Sequence, residues 1–299
     1  MMLRDIGEDR LLAKILPKLP LTRNVVRGVG DDCAVLKFKG ARDLLLLKTD
    51  CVVEQIHFTS DTDASAVGWK AMMRTLSDFA AMSGVPQFAL ITLAIEGSRN
   101  VDWVEKFYRG LRRAAARFDV AIVGGETSAT NGPTVVAVSA AGYAERDRCV
   151  LRSGGKAGDD LFITGFVGGS RAGHHLDFVA RIKEARWLTS HFQIHAMLDL
   201  SDGLGADLPR LAAASNLGFF LETAALPVTS GCSVDQAVSD GEDYELLFAI
   251  PPAHGATLAR KWRRRFPNVR LTRIGQLISK SKTGNDKLPA GYVHFRKRR

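Results

Sequence analysis

Six short acidic motifs punctuate the 299 residues: GlyValGlyAspAspCysAla at 28–34, ThrAsp at 49–50, SerAspPheAlaAlaMet at 77–82, GlyGlyGluThr at 124–127, AspLeuSerAspGly at 199–203 and AspGlyGluAspTyrGlu at 240–245. Each reads as standing where a strand ends or a helix begins. Carboxylates gathered in one place repel one another unless cations neutralise them. If these motifs converge, their oxygen ligands suit hard cations, and the expected site holds several magnesium ions rather than zinc or copper. Magnesium keeps waters and is completed by substrate phosphates, so the implied partner is a nucleotide polyphosphate. Singly, each acid has a structural explanation: Asp31 and Asp32 a turn, Asp78 a solvated helix face, Ser201 with Asp202 a helix cap. The joint pattern is what points to chemistry.

AspLeuSerAspGly follows an apolar strand pattern and precedes a helical one, GlyLeuGlyAlaAspLeuProArgLeu. Ser201 or Asp202 can cap that helix, its free amides can face a phosphate, and Asp199 with Asp202 can hold metal. The chain has neither a GxxxxGK[ST] loop nor a GxGxxG fingerprint, so nucleotide binding must use another architecture.

The elements that must position these groups can be read from periodicity. Strands are expected at 33–38, 43–49 and 51–58, then a helix on which Trp69, Met72, Met73, Leu76, Phe79 and Ala80 recur, with Asp78 opposite the apolar stripe. A strand at 88–95, a helix over 102–118 and strands at 120–123 and 134–143 complete an α+β half rich in strands. The polar, Gly-rich stretch 145–159 marks a boundary near its start, giving domains 1–145 and 146–299. The second half alternates again: strands at 160–164, 196–200, 218–222, 244–250 and 269–276, helical material over 170–191, helices opening at Gly203 and spanning 253–266, and a loop at 279–288.

A hydrophobic content of 46% allows a substantial core. The N-terminus lacks the continuous apolar segment of a signal peptide, and no run is long enough to span a bilayer. Cys33, Cys51, Cys149 and Cys232 are far apart, against zinc or a disulfide framework and in favour of a reducing cytoplasm. The net charge of +9 raises nucleic-acid binding, but the Arg-rich stretches 109–117 and 261–265 follow amphipathic helix patterns, for which a solvated face is the commoner explanation. No recognition module accompanies them or the basic ending at 296–299, and a positive field also draws in nucleotides and phosphate esters.

The ordered set GVGDDCAVL, TDCVVEQIHF, LSDFAAMSGVP, VGGET, LRSGGKAGD, LDLSDGL and SDGEDYELLF, spread over Leu11 to Phe295, resembles the thiamine-monophosphate kinase family. Its wider superfamily includes aminoimidazole ribonucleotide synthetase and selenophosphate synthetase. The resemblance implies an aminoimidazole ribonucleotide synthetase-like fold of two α+β domains, an N-terminal β-rich dimerising domain that binds ATP and magnesium, and a C-terminal α/β domain. It implies a homodimer and ATP-dependent phosphorylation of thiamine monophosphate. Its magnesium ligands would fall on Asp32, Thr49, Asp50, Asp78, Glu126, Asp199 and Asp202, with Asp31 adjacent. Gly125, Glu126, Arg152 and Ser201 match nucleotide positions, and His57, Glu242 and Tyr292 match the thiamine-phosphate side.

Three departures from the family pattern stand out: Glu126 where Asp is usual, Lys48 where a small hydroxyl residue is common, and a short 168–195 region with Arg181–Ile182 in place of a Pro-Arg pair. The acceptor is a phosphate already ionised near neutral pH, so no general base is expected. Two alternatives remain at this level: a sister activity with another acceptor, and nucleic-acid binding. Selenophosphate synthesis is disfavoured because no Cys lies near the N-terminus.

Overall fold

The two apolar runs flanking Thr49 and Asp50 form one strand. In the computed structural model, which describes residues 2–280, 288–289 and 291–292, β3 runs unbroken over Leu44–Val53. Leu44, Leu46 and Val52 are buried while Leu47, Thr49 and Cys51 are exposed, the period-two alternation of a sheet with one covered face. With β1 (Val25–Arg27), β2 (Ala34–Leu36), β4 (Val85–Ile95), β5 (Ala121–Ala129) and β6 (Val135–Ala144), it makes a six-stranded sheet in the order β1-β2-β3-β6-β4-β5. Only β4 and β5 are parallel. The strand expected at 120–123 is longer than its apolar run, so GlyGlyGluThr lies inside β5 instead of at an element end, as ThrAsp lies inside β3.

The inner face of this sheet is covered by α2 (Ala64–Ala81) and, behind it, α3 (Val101–Ala116). Asp63 caps α2 by accepting from the Ala66 amide at 2.9 Å, and Asn100 caps α3 by accepting from Asp102 at 2.9 Å. The helices touch backbone to backbone, since a Cβ on Gly68 would lie 2.0 Å from the Phe107 carbonyl oxygen and one on Gly110 1.9 Å from that of Ser65. Asp78 does not lie on a solvated face. Nearly every side chain of α2 is buried, including Lys70, Ser77 and Asp78, because the second half packs against the side that the sheet leaves open.

That half is built on an antiparallel sheet, β8-β10-β7-β11-β9, from β7 (Asp160–Thr164), β8 (Ala196–Asp199), β9 (Gly218–Leu221), β10 (Leu246–Ile250) and β11 (Leu271–Ile278). Its helices are α4 (Ile182–His191), α5 (Leu204–Ala214), α6 (Val234–Ser239) and α7 (Pro252–Arg265), and α1 (Leu3–Ile15), bent at Gly7, precedes the first sheet. Short β1 and α6 escape a periodicity reading because three and six residues are too few to show a period. One hydrophobic core runs from α2, α3 and the first sheet to α4, β10 and α7, so the halves share packing. Arg109, Arg112, Arg113 and Arg263–Arg265 lie on exposed helix faces. All four cysteines are free, and no helix among the described residues is long and apolar enough to cross a membrane. Most of the loop expected at 279–288, and the basic ending, fall outside the described residues.

Candidate active site

Three carboxylates from distant parts of the chain meet: Asp32 from the turn before β2, Asp78 from α2 and Asp199 from the end of β8 have ligand atoms within 4.8 Å of one another. All three are buried. Asp32 Oδ1 accepts from Arg152 Nη2 at 2.5 Å, while Asp32 Oδ2 is enclosed with no hydrogen-bond partner among the described residues. Asp199 accepts from Ser77 at 2.5 Å. Burial pushes the Asp199 carboxyl up to about 6, with Asp32 adding to it. Burial also drives Asp78 well above the usual carboxylate range, and Asp50, Asp199 and Asp32 reinforce it against the pull of Lys48. A crowded set of oxygen donors with an orphaned oxygen fits hard cations such as magnesium.

Lys48 already supplies one positive charge here. Its Nζ donates to Asp78 Oδ1 at 2.7 Å and lies 3.9 Å from Asp50 Oδ2. Burial opposes the Lys48 charge, but Asp78 and Asp50 outweigh it and raise its pKa. Asp50 is held below its ordinary value, since Lys48 and Arg74 overcome the cost of its burial.

The remaining predicted ligands separate. Asp31 is occupied by the Arg152 amide at 2.9 Å and Arg27 Nε at 3.1 Å, which clamps the turn beside Asp32. Asp202 is engaged by Arg210 at 2.5 Å. Neither Ser201 nor Asp202 caps α5. Instead Asp207, one turn inside it, accepts from both their amides at 3.0 Å, and burial followed by the nearby Asp202 raises Asp207 to about 7. The expected capping is therefore inverted: the helix side chain reaches back to fix the motif.

Thr49 and Glu126 lie on the other face of the sheet. Thr49 Oγ1 accepts from Ser139 at 3.0 Å, and Glu126 Oε1 from Ser128 at 3.2 Å, both exposed. Glu126, on β5 and paired with Thr92 of β4, is three strands from β3, which at sheet spacing is about 14 Å away. Gly125 is required beside it, since a Cβ there would meet the Ile91 carbonyl oxygen at 1.8 Å. Leu47, Phe88, Leu90 and Val123 leave an open apolar depression on this face.

A cleft on the opposite side is lined by His57, Arg74, Ser201, Asp202, Glu242 and Tyr292, among others. It adjoins an outer cleft of 390 Å³ that shares Ile56, His57 and Glu242. Glu242 and Tyr244 both adopt positive φ, 56° and 51°, conformations costly for residues with a Cβ and typical of functional loops. His57 Nδ1 accepts from the Val53 amide at 3.1 Å, closing the turn after β3. Lys70, wholly buried, joins the pieces: its Nζ donates to the His57 carbonyl at 2.7 Å, to His175 Nδ1 at 2.6 Å and to Glu242 Oε1 at 2.8 Å. Burial alone would raise the Glu242 pKa, yet Lys70, Arg74 and His175 bring it below its ordinary value. In the shortened 168–195 region, Arg181 forms a buried pair with Glu245, Nε to Oε2 at 2.7 Å.

Lys70 and Arg74 escape the motif reading, although their signal is in the sequence. With Asp78 they sit four residues apart on a helix otherwise filled by Trp69, Ala71, Met72, Met73 and Leu76. That polar stripe along a helix apolar elsewhere is the signal, and it becomes a buried seam because both sides of α2 are covered.

Residues 30–144 match the family model described as AIR synthase related protein, N-terminal domain. The chain is 33% identical to the thiamine-monophosphate kinase of Rhodopirellula baltica, covering 96% of this chain and 97% of that one. It is 30% identical to the thiamine-monophosphate kinase of Aquifex aeolicus, covering 99% and 100% respectively. Among solved structures, "AaThiL complexed with AMPPCP and TMP" superposes with a TM-score of 0.84 at 30% identity over 98% of this chain and 99% of that one. Hydrogenase maturation protein HypE of E. coli shares the fold at 17% identity, with a TM-score of 0.67 over 91% and 92% of the two chains.

Proposed function

The chain belongs to the thiamine-monophosphate kinase family and transfers a phosphoryl group from ATP to thiamine monophosphate, giving ADP and thiamine diphosphate; we propose that Asp32, Asp78 and Asp199, with Asp50 beside them, hold the magnesium ions used in this transfer. The observation that supports this most directly is the orphaned, buried Asp32 Oδ2 inside a three-carboxylate cluster. Bound magnesium would neutralise charge on the polyphosphate and hold it for in-line attack. The protein's own work is positional. Arg152 steadies Asp32, Ser77 steadies Asp199, and Asp207 fixes the Ser201–Asp202 turn. Gly125, Glu126, Arg152 and Ser201 contact the nucleotide. His57, Glu242 and Tyr292 receive thiamine monophosphate, whose acceptor oxygen is already ionised, so no side chain removes a proton.

Thr49 and Glu126 enter this scheme through a homodimer. Their face of the sheet is apolar and open, and β5 has no partner on its outer edge among the described residues. A second copy laid there brings its Glu126 toward Thr49, which Glu126 of the same chain cannot reach across three strands. In this arrangement residues 1–145 form the ATP-binding, dimerising domain and 146–299 the C-terminal domain. Asp202, tied to Arg210, and Asp31, tied to Arg27, take part as outer ligands. Four free cysteines suit the cytoplasm.

Asp78→Asn and Asp199→Asn test the metal assignment. Each should lower turnover by at least about a hundredfold while circular dichroism and oligomeric state stay unchanged. Wild-type turnover in either variant would remove these residues from the metal site.

A further inference from the structure

We propose that Arg74 grips the phosphate of the acceptor, so that it selects thiamine monophosphate over unphosphorylated thiamine and places the attacking oxygen beside the carboxylate cluster. This rests on the reading of the cleft as the thiamine-phosphate site. Arg74 lies on α2 one turn before Asp78 and one turn after Lys70, at the seam between the acidic cluster and the cleft, and it lines the cleft together with the thiamine-side residues His57, Glu242 and Tyr292. Its Nη1 is enclosed yet has no hydrogen-bond partner among the described residues. A buried guanidinium N–H without an acceptor is costly, and a cleft that leaves one unsatisfied is built for an anion supplied from outside.

The surroundings favour a phosphate oxygen as that acceptor. Burial works against the Arg74 charge, but Tyr244, Asp50, Glu242 and Asp78 more than compensate, so the group is a permanent cation. Lys70 of the same helix is committed to Glu242 and Lys48 of β3 to Asp78, which leaves Arg74, among the described residues, as the Lys or Arg side chain that lines the cleft. Its planar fork can take two oxygens of one phosphate, a match that a carboxylate-free alcohol such as thiamine does not offer. During transfer, an acceptor-phosphate oxygen forms the new P–O bond to the γ-phosphorus as the bond to the β-bridging oxygen breaks and ADP leaves. Arg74 keeps all its protons and moves none.

The test is calorimetric titration of thiamine monophosphate and of thiamine into the full-length protein without ATP or magnesium, for wild type, Arg74→Met and Arg74→Lys. Wild type should prefer the phosphate ester. Arg74→Met should bind the ester about 10- to 100-fold more weakly while its affinity for thiamine and for an ATP analogue is unchanged. Arg74→Lys, which keeps the charge but not the fork, should lose part of that preference and serves alone if the methionine variant does not fold. Ester binding at wild-type strength in either variant overturns the role of Arg74 while the reading of the cleft stands. Wild-type protein that binds neither ligand overturns the reading of the cleft, and the proposal with it.

Discussion

Replacing Lys70 by methionine should cost about 3–5 kcal/mol of stability at about pH 8, because it removes one partner of a buried ion pair. Methionine fills nearly the same volume, so little of the loss comes from a cavity. What remains is a Glu242 carboxylate left without its 2.8 Å contact, a His57 carbonyl without its 2.7 Å donor and a His175 Nδ1 without its 2.6 Å donor. Urea unfolding with an unchanged slope measures the loss. Adding Glu242→Gln to the Lys70→Met background removes the stranded charge and should recover about 2 kcal/mol. The pH dependence has a defined sign. In wild type Glu242 titrates below its ordinary 4.5, so its contribution is present above that value and is lost as the pH falls through the depressed one. The gap between wild type and Lys70→Met should therefore close as the pH falls below about 4.5. A loss under about 1 kcal/mol, or no recovery in the double variant, would refute the reasoning that Lys70 is the charge that makes Glu242 tolerable.

Lys48→Ser should lower the melting temperature in chelator, where Asp78 loses its 2.7 Å partner, and magnesium should restore it more strongly than it stabilises wild type; a deficit indifferent to magnesium would show that Lys48 is not standing in for a cation. Glu145, at the end of β6, pairs through both oxygens with Arg186 of α4 at 2.5 and 2.6 Å, and hydrogen bonding to Arg186 holds its carboxyl at about 2. Folding stability from this pair is present above 4.5 and is lost as the pH falls toward about 2. With its side chain 30% exposed, screening reduces the pair to about 1 kcal/mol. Glu145→Gln should show that deficit at neutral pH by chemical denaturation and match wild type in strong acid, and a deficit that persists there would point to lost packing instead.

The chemistry was legible in the sequence where it depended on residue type. Asp32, Asp78 and Asp199 belong to motifs whose acids have no apolar alternative, and the structure brings them together. Face and register were harder. Thr49 and Asp50 are neighbours in one motif but, because a strand alternates, Asp50 turns toward α2 and Thr49 away from it. Glu126 joins Thr49 on that outer face only through the pairing of β4 with β5, which no local pattern encodes. Asp78 reads as solvated when α2 is taken alone, since what buries it comes from more than a hundred residues later in the chain. Lys70 and Arg74 were hidden for the same reason: a polar residue on an apolar helix looks like surface until both sides of the helix are known to be covered.

The most direct measurement is phosphorus NMR of purified protein mixed with thiamine monophosphate and ATP, with magnesium and with chelator. The structure and the family predict that ADP and thiamine diphosphate appear in equal amounts, in the magnesium sample alone. ATP consumed with the thiamine monophosphate resonance unchanged, or thiamine diphosphate formed at the same rate in chelator, would contradict the account.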